Sequence, residues 1–242
     1  MVETVSTNWS GLALVVGPGG IGSAVAAELS QSCPELKVLT AGRHGPPACS
    51  LRLDIENDRD LDRLATTLRA EEQPLRLVFN CSGRLHGPEL QPEKRLQQVE
   101  RSALEQQFGI NAIAPILLAK AIEPLLQRNQ PFHFASLSAR VGSIGDNRTG
   151  GWYGYRAAKA AQNQLLRSLS IEWARRWPLA TVSLLHPGTT DTALSRPFQS
   201  FVAPEKLFSP ERAARQLVAV LLQQTPAQSG AFLAWDGQSI DW

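Results

Sequence analysis

Tyr155 and Lys159 stand four residues apart in the run Tyr155-Arg156-Ala157-Ala158-Lys159. In a helix that spacing puts both side chains on one face, one turn apart. A free phenol has a pKa of about 10 and is a poor acid or base at neutral pH. A nearby ammonium favours the phenolate and pulls that pKa down. The pair is therefore a candidate general acid and base for moving a proton on or off a carbonyl or alcohol oxygen. A surface tyrosine and lysine at chance spacing would look the same, so the elements around the pair must decide.

The first of those elements is a nucleotide cradle. Leu12-Ala-Leu-Val-Val16 is a continuous apolar run, as expected of a strand buried on both faces. Gly17-Pro-Gly19-Gly20-Ile21-Gly22 follows at once, and Ser23 to Gln31 reads as a helix. Strand, glycine loop and helix form the context in which such a loop holds a pyrophosphate on backbone amides; the alternative is a plain glycine-rich turn. The next strand, Leu36 to Thr40, ends in Ala41-Gly42-Arg43-His44. An acidic residue here would hold the ribose 2′-OH of NAD, and Gly42 cannot. Arg43 suits a 2′-phosphate, so NADP(H) is expected over NAD(H), unless Arg43 is only an exposed loop residue.

Further strands are expected at Leu51 to Leu53, Leu75 to Phe79, Pro131 to Leu137, Ala180 to Leu185 and Ala231 to Trp235. Two of them end in small polar residues, at the strand ends where such sheets place ligands: Asn80-Cys81-Ser82-Gly83, and Ser136 to Ser143. A polar helix is expected from Asp58 to Ala70. Ser102-Ala-Leu-Glu105 has capping-box spacing and should open a long helix carrying Asn111, whose buried amide must find partners. Ala158, Ala161, Leu165 and Leu169 mark the apolar face of the Tyr155 helix, which Pro178 stops. His186 precedes Pro187-Gly188 and reads as part of a turn; Cys81 reads as a buried small residue. Leu194 to Phe208 has no clear period and carries Phe198, Phe201 and Phe208, so a mobile lid over an apolar pocket is expected at about 189–209. Ser209 and Pro210 mark a last helix start.

The bulk numbers fit this picture. The chain has 242 residues, is 43% hydrophobic and carries a net charge of +2, with scattered basic residues. One domain spanning 1–242 is expected, and nothing asks for nucleic acid or a membrane surface. Three widely spaced cysteines, Cys33, Cys49 and Cys81, fit neither a disulfide framework nor a metal cluster. Met1 to Ser10 lacks the pattern of a leader, so a cytoplasmic protein is expected. The apolar stretch Ile110 to Leu126 is broken by Asn111, Pro115, Lys120 and Glu123 and reads as a buried helix.

In order and approximate spacing, the glycine loop, Asn80-Cys-Ser-Gly83, Asn111, the serine region, Tyr155 with Lys159, and Pro187-Gly188 resemble the short-chain dehydrogenase/reductase family. The stretches Ser138 to Ser143 and Gly150 to Tyr155, and the ending Trp235 to Trp242, resemble its C-factor, or C-signal-like, branch. The resemblance implies an α/β Rossmann-type fold with a doubly wound, seven-stranded parallel sheet and helices on both faces. It implies Tyr155 as proton donor and acceptor, and Lys159 as holder of the nicotinamide ribose. It implies Asn111 supporting a water linked to Lys159, Asp54 near the adenine and Thr192 near the carboxamide. Gly17, Gly19, Gly20, Ile21, Gly22, Arg43, Asn80, Ser82, Gly83, Pro187, Gly188 and Thr190 complete the expected cofactor contacts. Two departures stand out. Val15 and Val16 occupy the first two places of the family's glycine motif, and Gly17 comes one position later. Three residues before Gly142, where the family carries its catalytic serine, stands Ala139; the neighbouring Ser138 is taken for that role.

The expected function is NADP(H)-dependent interconversion of a carbonyl and a secondary alcohol on a small molecule, by a homodimer or homotetramer. The alternative is an NADP(H)-binding signalling or regulatory protein with little turnover.

Overall fold

The computed structural model describes residues 9–45 and 49–242, apart from the side chain of Phe201. The leader expectation falls mainly on residues 1–8, which lie outside the described residues.

Among the described residues nine strands form: β1 (Gly11–Val16), β2 (Leu36–Gly42), β3 (Leu51–Arg52), β4 (Leu75–Asn80), β5 (Phe132–Leu137), β6 (Ala180–His186), β7 (Thr189–Thr190), β8 (Leu207–Phe208) and β9 (Ala231–Ala234). Among the same residues six α-helices accompany them: α1 (Ile21–Ser32), α2 (Asp58–Arg69), α3 (Arg101–Phe108), α4 (Ala114–Ile122), α5 (Tyr153–Arg176) and α6 (Pro210–Gln223). Seven strands build one sheet in the order β3-β2-β1-β4-β5-β6-β9, and every pair is parallel.

Strand parity explains the layers. Successive side chains point to opposite faces. Leu12, Leu14 and Val16 of β1 pack with Val78, Phe134 and Leu184 against α2, α4 and α5, through Leu64, Leu118 and Leu166. Ala13 and Val15 pack with Phe79, Ala135 and Leu185 against α1 and α6, through Val25, Leu29 and Leu217. Both faces are covered, which is why the central strands read as unbroken apolar runs. The strand order reverses between β1 and β4, and at such a switch point a crevice opens at the carboxyl ends of the strands.

Local sequence accounts for several ends. Asn57 caps α2, its Oδ1 accepting the Arg59 and Asp60 amides. Ser209 caps α6 through the Arg212 amide, with Pro210 at the first position. The Ser102 capping box does not form: α3 starts at Arg101 with Glu100 before it, and Ser102 lies inside the helix. The long helix expected from there is interrupted by a π turn, Gly109–Ile113, centred on Asn111. Though Arg101–Leu125 is apolar enough to span a bilayer by composition alone, Leu118, Ala119 and Ile122 are fully buried against the sheet.

The inward face of α5 also differs from expectation. Ala161 and Leu165 are only partly buried. The buried face runs through Tyr155, Ala158, Lys159, Gln162, Asn163, Leu166, Leu169 and Trp173, so its first half is polar. The segment at 189–209 is more regular than its sequence suggests. Thr189–Thr190 pairs with Leu207–Phe208, and 3-10 turns cover Arg196–Phe201 and Pro204–Lys206.

Candidate active site

A cleft of about 680 Å³ opens at the switch point. Its walls come from the β1–α1 loop, the ends of β2, β4 and β5, the start of α5, and the segment after β6.

The floor is the glycine loop. Gly17 has φ +80, and a Cβ there would meet the Ser82 amide nitrogen at 2.8 Å. A Cβ on Gly22 would meet the Gly17 carbonyl oxygen at 2.1 Å, so Gly22 serves the close packing of α1 on β1 rather than the cleft wall. Gly19 faces open space, with nothing within 4 Å of its Cβ position. The N-terminus of α1 has no side-chain cap and no acid in its first turn. The Gly22 amide donates to the Gly19 carbonyl at 2.9 Å, and the partial positive charge of the helix end is left to an external anion. These features fit the pyrophosphate of a dinucleotide. Arg43 is exposed at the end of β2 and lines the cleft beside His44. Among the described residues no ion pair engages it. Asp54 lines the cleft too, its Oδ1 accepting the Glu56 amide. Arg84 and Glu56 form a half-exposed ion pair at 3.1 Å on the same wall, a feature that sequence spacing did not announce.

The far end carries the reactive groups. Tyr155 and Lys159 both line the cleft, 7% and 2% exposed. Lys159 Nζ sits 5.9 Å from the centre of the Tyr155 ring. It donates to the Leu137 carbonyl at 3.0 Å and to Gln162 Oε1 at 2.8 Å. Burial pushes the lysine pKa down to about 7. Burial also pushes the Tyr155 phenol above its ordinary value. The expected lowering of the phenol is thus not found: desolvation outweighs an ammonium whose donors are turned to Leu137 and Gln162. Cys81 lines the cleft, and burial raises its thiol, so it is no thiolate at neutral pH.

Other expected residues lie behind the wall. Asn80 is fully buried and positions Ser82: its Oδ1 accepts the Ser82 amide and hydroxyl at 3.1 and 2.6 Å. Ser82 and Gly83 line the cleft themselves. Asn111 grips the chain at Arg84, accepting its amide at 3.1 Å and donating to its carbonyl at 2.8 Å. A Cβ on Gly83 would come within 3.1 Å of Asn111 Oδ1 and 3.7 Å of Lys159 Nζ, so the two side chains approach each other across Gly83. Ser138 lines the cleft, but its hydroxyl donates to Asn163 Oδ1 at 2.6 Å. A hydroxyl has one proton to give. Ser138 in this state cannot also donate to a substrate oxygen, which counts against the role expected of it. Ile21, Pro187 and Thr192 line the cleft; Gly188 and Thr190 do not. Gly188 packs instead against Phe208, with φ +74, and the Thr190 carbonyl accepts the Ser195 hydroxyl. Thr192 reaches over the floor, where a Cβ on Gly20 would meet its methyl at 2.7 Å. His186 is not on the cleft surface, and burial above all takes its pKa down to about 4.

Residues 18–240 match the family model described as enoyl-(acyl carrier protein) reductase. The chain belongs to the short-chain dehydrogenase/reductase family. It is similar to 1-hydroxy-2-glutathionyl-2-methyl-3-butene dehydrogenase of Rhodococcus sp. (strain AD45), 30% identical over 190 residues, which are 78% of either chain. It is similar to C-signal of Myxococcus xanthus, 32% identical over 147 residues, covering 61% of this chain and 83% of that one. In structure it is similar to the NADPH-bound carbonyl reductase from chicken fatty liver, with a TM-score of 0.81, 22% identity, and coverage of 96% of this chain and 99% of that one.

Trp152, just before α5, has φ 52, a left-handed conformation that side chains other than glycine seldom take. Its ring lies 6.3 Å from the Tyr155 ring and 5.0 Å from that of Phe198, which in turn lies 5.8 Å from His86. Three chain segments thus bring aromatic rings to the tyrosine end of the site.

Proposed function

We propose that this short-chain dehydrogenase/reductase transfers hydride between NADP(H) and a small carbonyl or secondary alcohol with an apolar or aromatic substituent. The observation that carries the reading is the convergence, in one cleft, of an uncapped glycine-loop helix end, Arg43, and the Tyr155–Lys159 pair. The loop from Gly17 to Ile21 would hold the pyrophosphate, Arg43 the 2′-phosphate, and Asp54 the adenosine end. Lys159, Ser82, Gly83, Pro187 and Thr192 would hold the nicotinamide half. Bound there, the nicotinamide supplies or takes up hydride. Tyr155 gives its proton to the carbonyl oxygen during reduction and recovers one from the alcohol during oxidation. A raised phenol pKa keeps the tyrosine protonated before reduction. Approach of the Lys159 charge when substrate oxygen turns anionic would ease the proton's departure. Trp152 and Phe198 supply the apolar surroundings for the substituent.

The cofactor preference agrees with the NADPH-bound reductase of the same fold. The regulatory alternative draws support from the C-signal likeness and from the engaged Ser138 hydroxyl. It is the weaker reading, because it gives no purpose to Tyr155 and Lys159 lining one cleft.

Titration with NADPH and NADH by tryptophan fluorescence, followed by a panel of aldehydes and ketones at 340 nm (the absorbance of reduced nicotinamide), tests the proposal. The expected result is tighter binding of NADPH, consumption with aromatic carbonyls, and a loss of about 10²–10⁴-fold in turnover in Tyr155→Phe with cofactor binding retained. Binding without consumption across the panel would favour the regulatory reading. Equal affinity for both cofactors would remove the role given to Arg43.

A further inference from the structure

Gln162 lies three residues past Lys159 on the buried face of α5 and is itself fully buried. Its Oε1 accepts from Lys159 Nζ at 2.8 Å. Its Nε2 donates to the Leu137 carbonyl at 3.1 Å and to Ser136 Oγ at 2.8 Å. The Leu137 carbonyl also accepts from Lys159 Nζ at 3.0 Å. Ammonium, amide and carbonyl thereby close a three-cornered ring. An ammonium has only donors, so the atom facing it must be the amide oxygen, and this fixes which way the glutamine points. Two of the three ammonium donors are held by the protein interior. The third is left for the cleft that Lys159 lines.

The contacts continue past the ring. Ser136 Oγ accepts from Asn80 Nδ2 at 3.0 Å, and Asn80 Oδ1 accepts the Ser82 hydroxyl at 2.6 Å. Both ends of this path, Lys159 and Ser82, line the same cleft; Gln162, Ser136 and Asn80 between them are wholly buried. An apolar side chain would fill the place of Gln162 without desolvating an amide. A tie between β5 and α5 alone would not need to meet the ammonium.

We propose that Gln162 is the positioning residue for Lys159: it keeps the ammonium charged, aims its remaining donor into the cleft, and sets it relative to the Ser82 wall. The purpose of this device rests on the oxidoreductase reading, but its test does not. Among the described residues Lys159 is in no ion pair. The charged and titratable groups that line the cleft with Lys159 are Tyr155 on α5, Cys81 after β4, the Arg84–Glu56 pair, whose charges already engage each other, and Arg43, His44, Cys49 and Asp54. Gln162 and the Leu137 carbonyl are therefore the acceptors that favour the charged lysine, against the burial that brings its pKa to about 7.

The experiment is an NMR titration of protein carrying ¹³C at the lysine ε position, in the parent and in Gln162→Met, Gln162→Leu and Gln162→Glu. Five lysines give five signals, and a Lys159→Met control assigns the buried one. The midpoint should fall in Gln162→Met and Gln162→Leu, which remove an acceptor. It should rise by about one to three pH units in Gln162→Glu, which sets a carboxylate beside the ammonium. The pH profile of NADPH affinity should move in the same two directions. A merely structural glutamine would lower the melting temperature without moving the midpoint both ways, and an unmoved midpoint in folded variants overturns the proposal. If the apolar variants do not fold, Gln162→Glu, which keeps the shape, carries the test alone. Opposite shifts in a parent that consumes no NADPH with any carbonyl would uphold Gln162 and overturn the oxidoreductase reading instead.

Discussion

At the scale of single residues, Ser138 and Ala139 pose the sharpest question. Ser138 Oγ gives its proton to Asn163 Oδ1 at 2.6 Å, and both side chains are buried. Their bond ties the end of β5 to α5. Losing it leaves a buried acceptor unpaired, at about 1–3 kcal/mol. Ser138→Ala should therefore lower the melting temperature by several degrees and leave turnover within a few-fold of the parent. Ala139→Ser puts a hydroxyl where the family resemblance expects one, and should raise turnover by about tenfold or more if the site lacks a second donor to the carbonyl oxygen. Thermal melts and NADPH consumption, measured on the same preparations, separate the two roles. A large drop in turnover for Ser138→Ala at unchanged stability would return Ser138 to the reacting oxygen.

At the scale of elements, the placing of Tyr155 depends on how α5 begins. Gly150 and Gly151 have φ +63 and +66, and Trp152 follows at +52, three left-handed residues in succession. For tryptophan that conformation costs about 1–2 kcal/mol. Glu93 holds the turn together. Its carbonyl accepts the Trp152 amide, and its carboxylate, on a residue only 4% exposed, accepts the Gly154 amide at 3.2 and 3.3 Å through its two oxygens. A negative charge at the N-terminus of a 24-residue helix is also well placed for the helix dipole. Glu93→Gln keeps the shape and loses the charge, so it should cost about 1–2 kcal/mol, or about 2–8 °C in melting temperature for a chain of this size. An unchanged melting temperature would show that neutral amide chemistry suffices. This arrangement was not legible in the sequence, because Glu93 lies about sixty residues before the helix it caps and nothing local marks it. The strands were legible, since β1, β4 and β5 are covered on both faces and their apolar runs declare it. The glycine loop was legible for the same local reason, being strand, turn and helix in immediate succession. Asn111 was found as a buried amide, but the π turn around it answers to its bonds with Arg84 and Gln107, which no local pattern encodes. Gln162 escaped because periodicity was sought in apolar residues, and the inward face of α5 is polar beside the site. Arg43 and Tyr155 line the cleft, whereas Asn80, Gly188 and Thr190 do not.

At the scale of the whole molecule, the buried bases set how stability follows pH. His133 on β5 is 1% exposed, its Nε2 lies 2.9 Å from Ser183 Oγ, and burial takes its pKa down to about 3. His186 at the end of β6 is taken down to about 4. Unfolded, each titrates near 6.5. Between these values the unfolded chain binds protons that the folded chain refuses, so stability falls as pH falls below about 6.5. Each histidine contributes about 1.4 kcal/mol per pH unit inside its window, and the two together about 2.7. Lys159 acts in a higher window. Its folded value of about 7 lies below the unfolded value of about 10.4, so stability rises with pH between them and its penalty is constant below. Tyr155 acts oppositely: its folded pKa is raised, so its contribution is whole below about 10 and is lost above as the unfolded phenol ionises. Urea unfolding from pH 4 to 10 should therefore show a steep acid limb, a shelf near neutrality and a further rise toward alkali. His133→Gln, which keeps a polar partner for Ser183, should reduce the acid slope by about half, and Lys159→Met should flatten the alkaline rise while leaving the acid limb intact. An acid slope unchanged by His133→Gln would mean that the imidazole takes up its proton without unfolding, and that water reaches the space between β5 and β6.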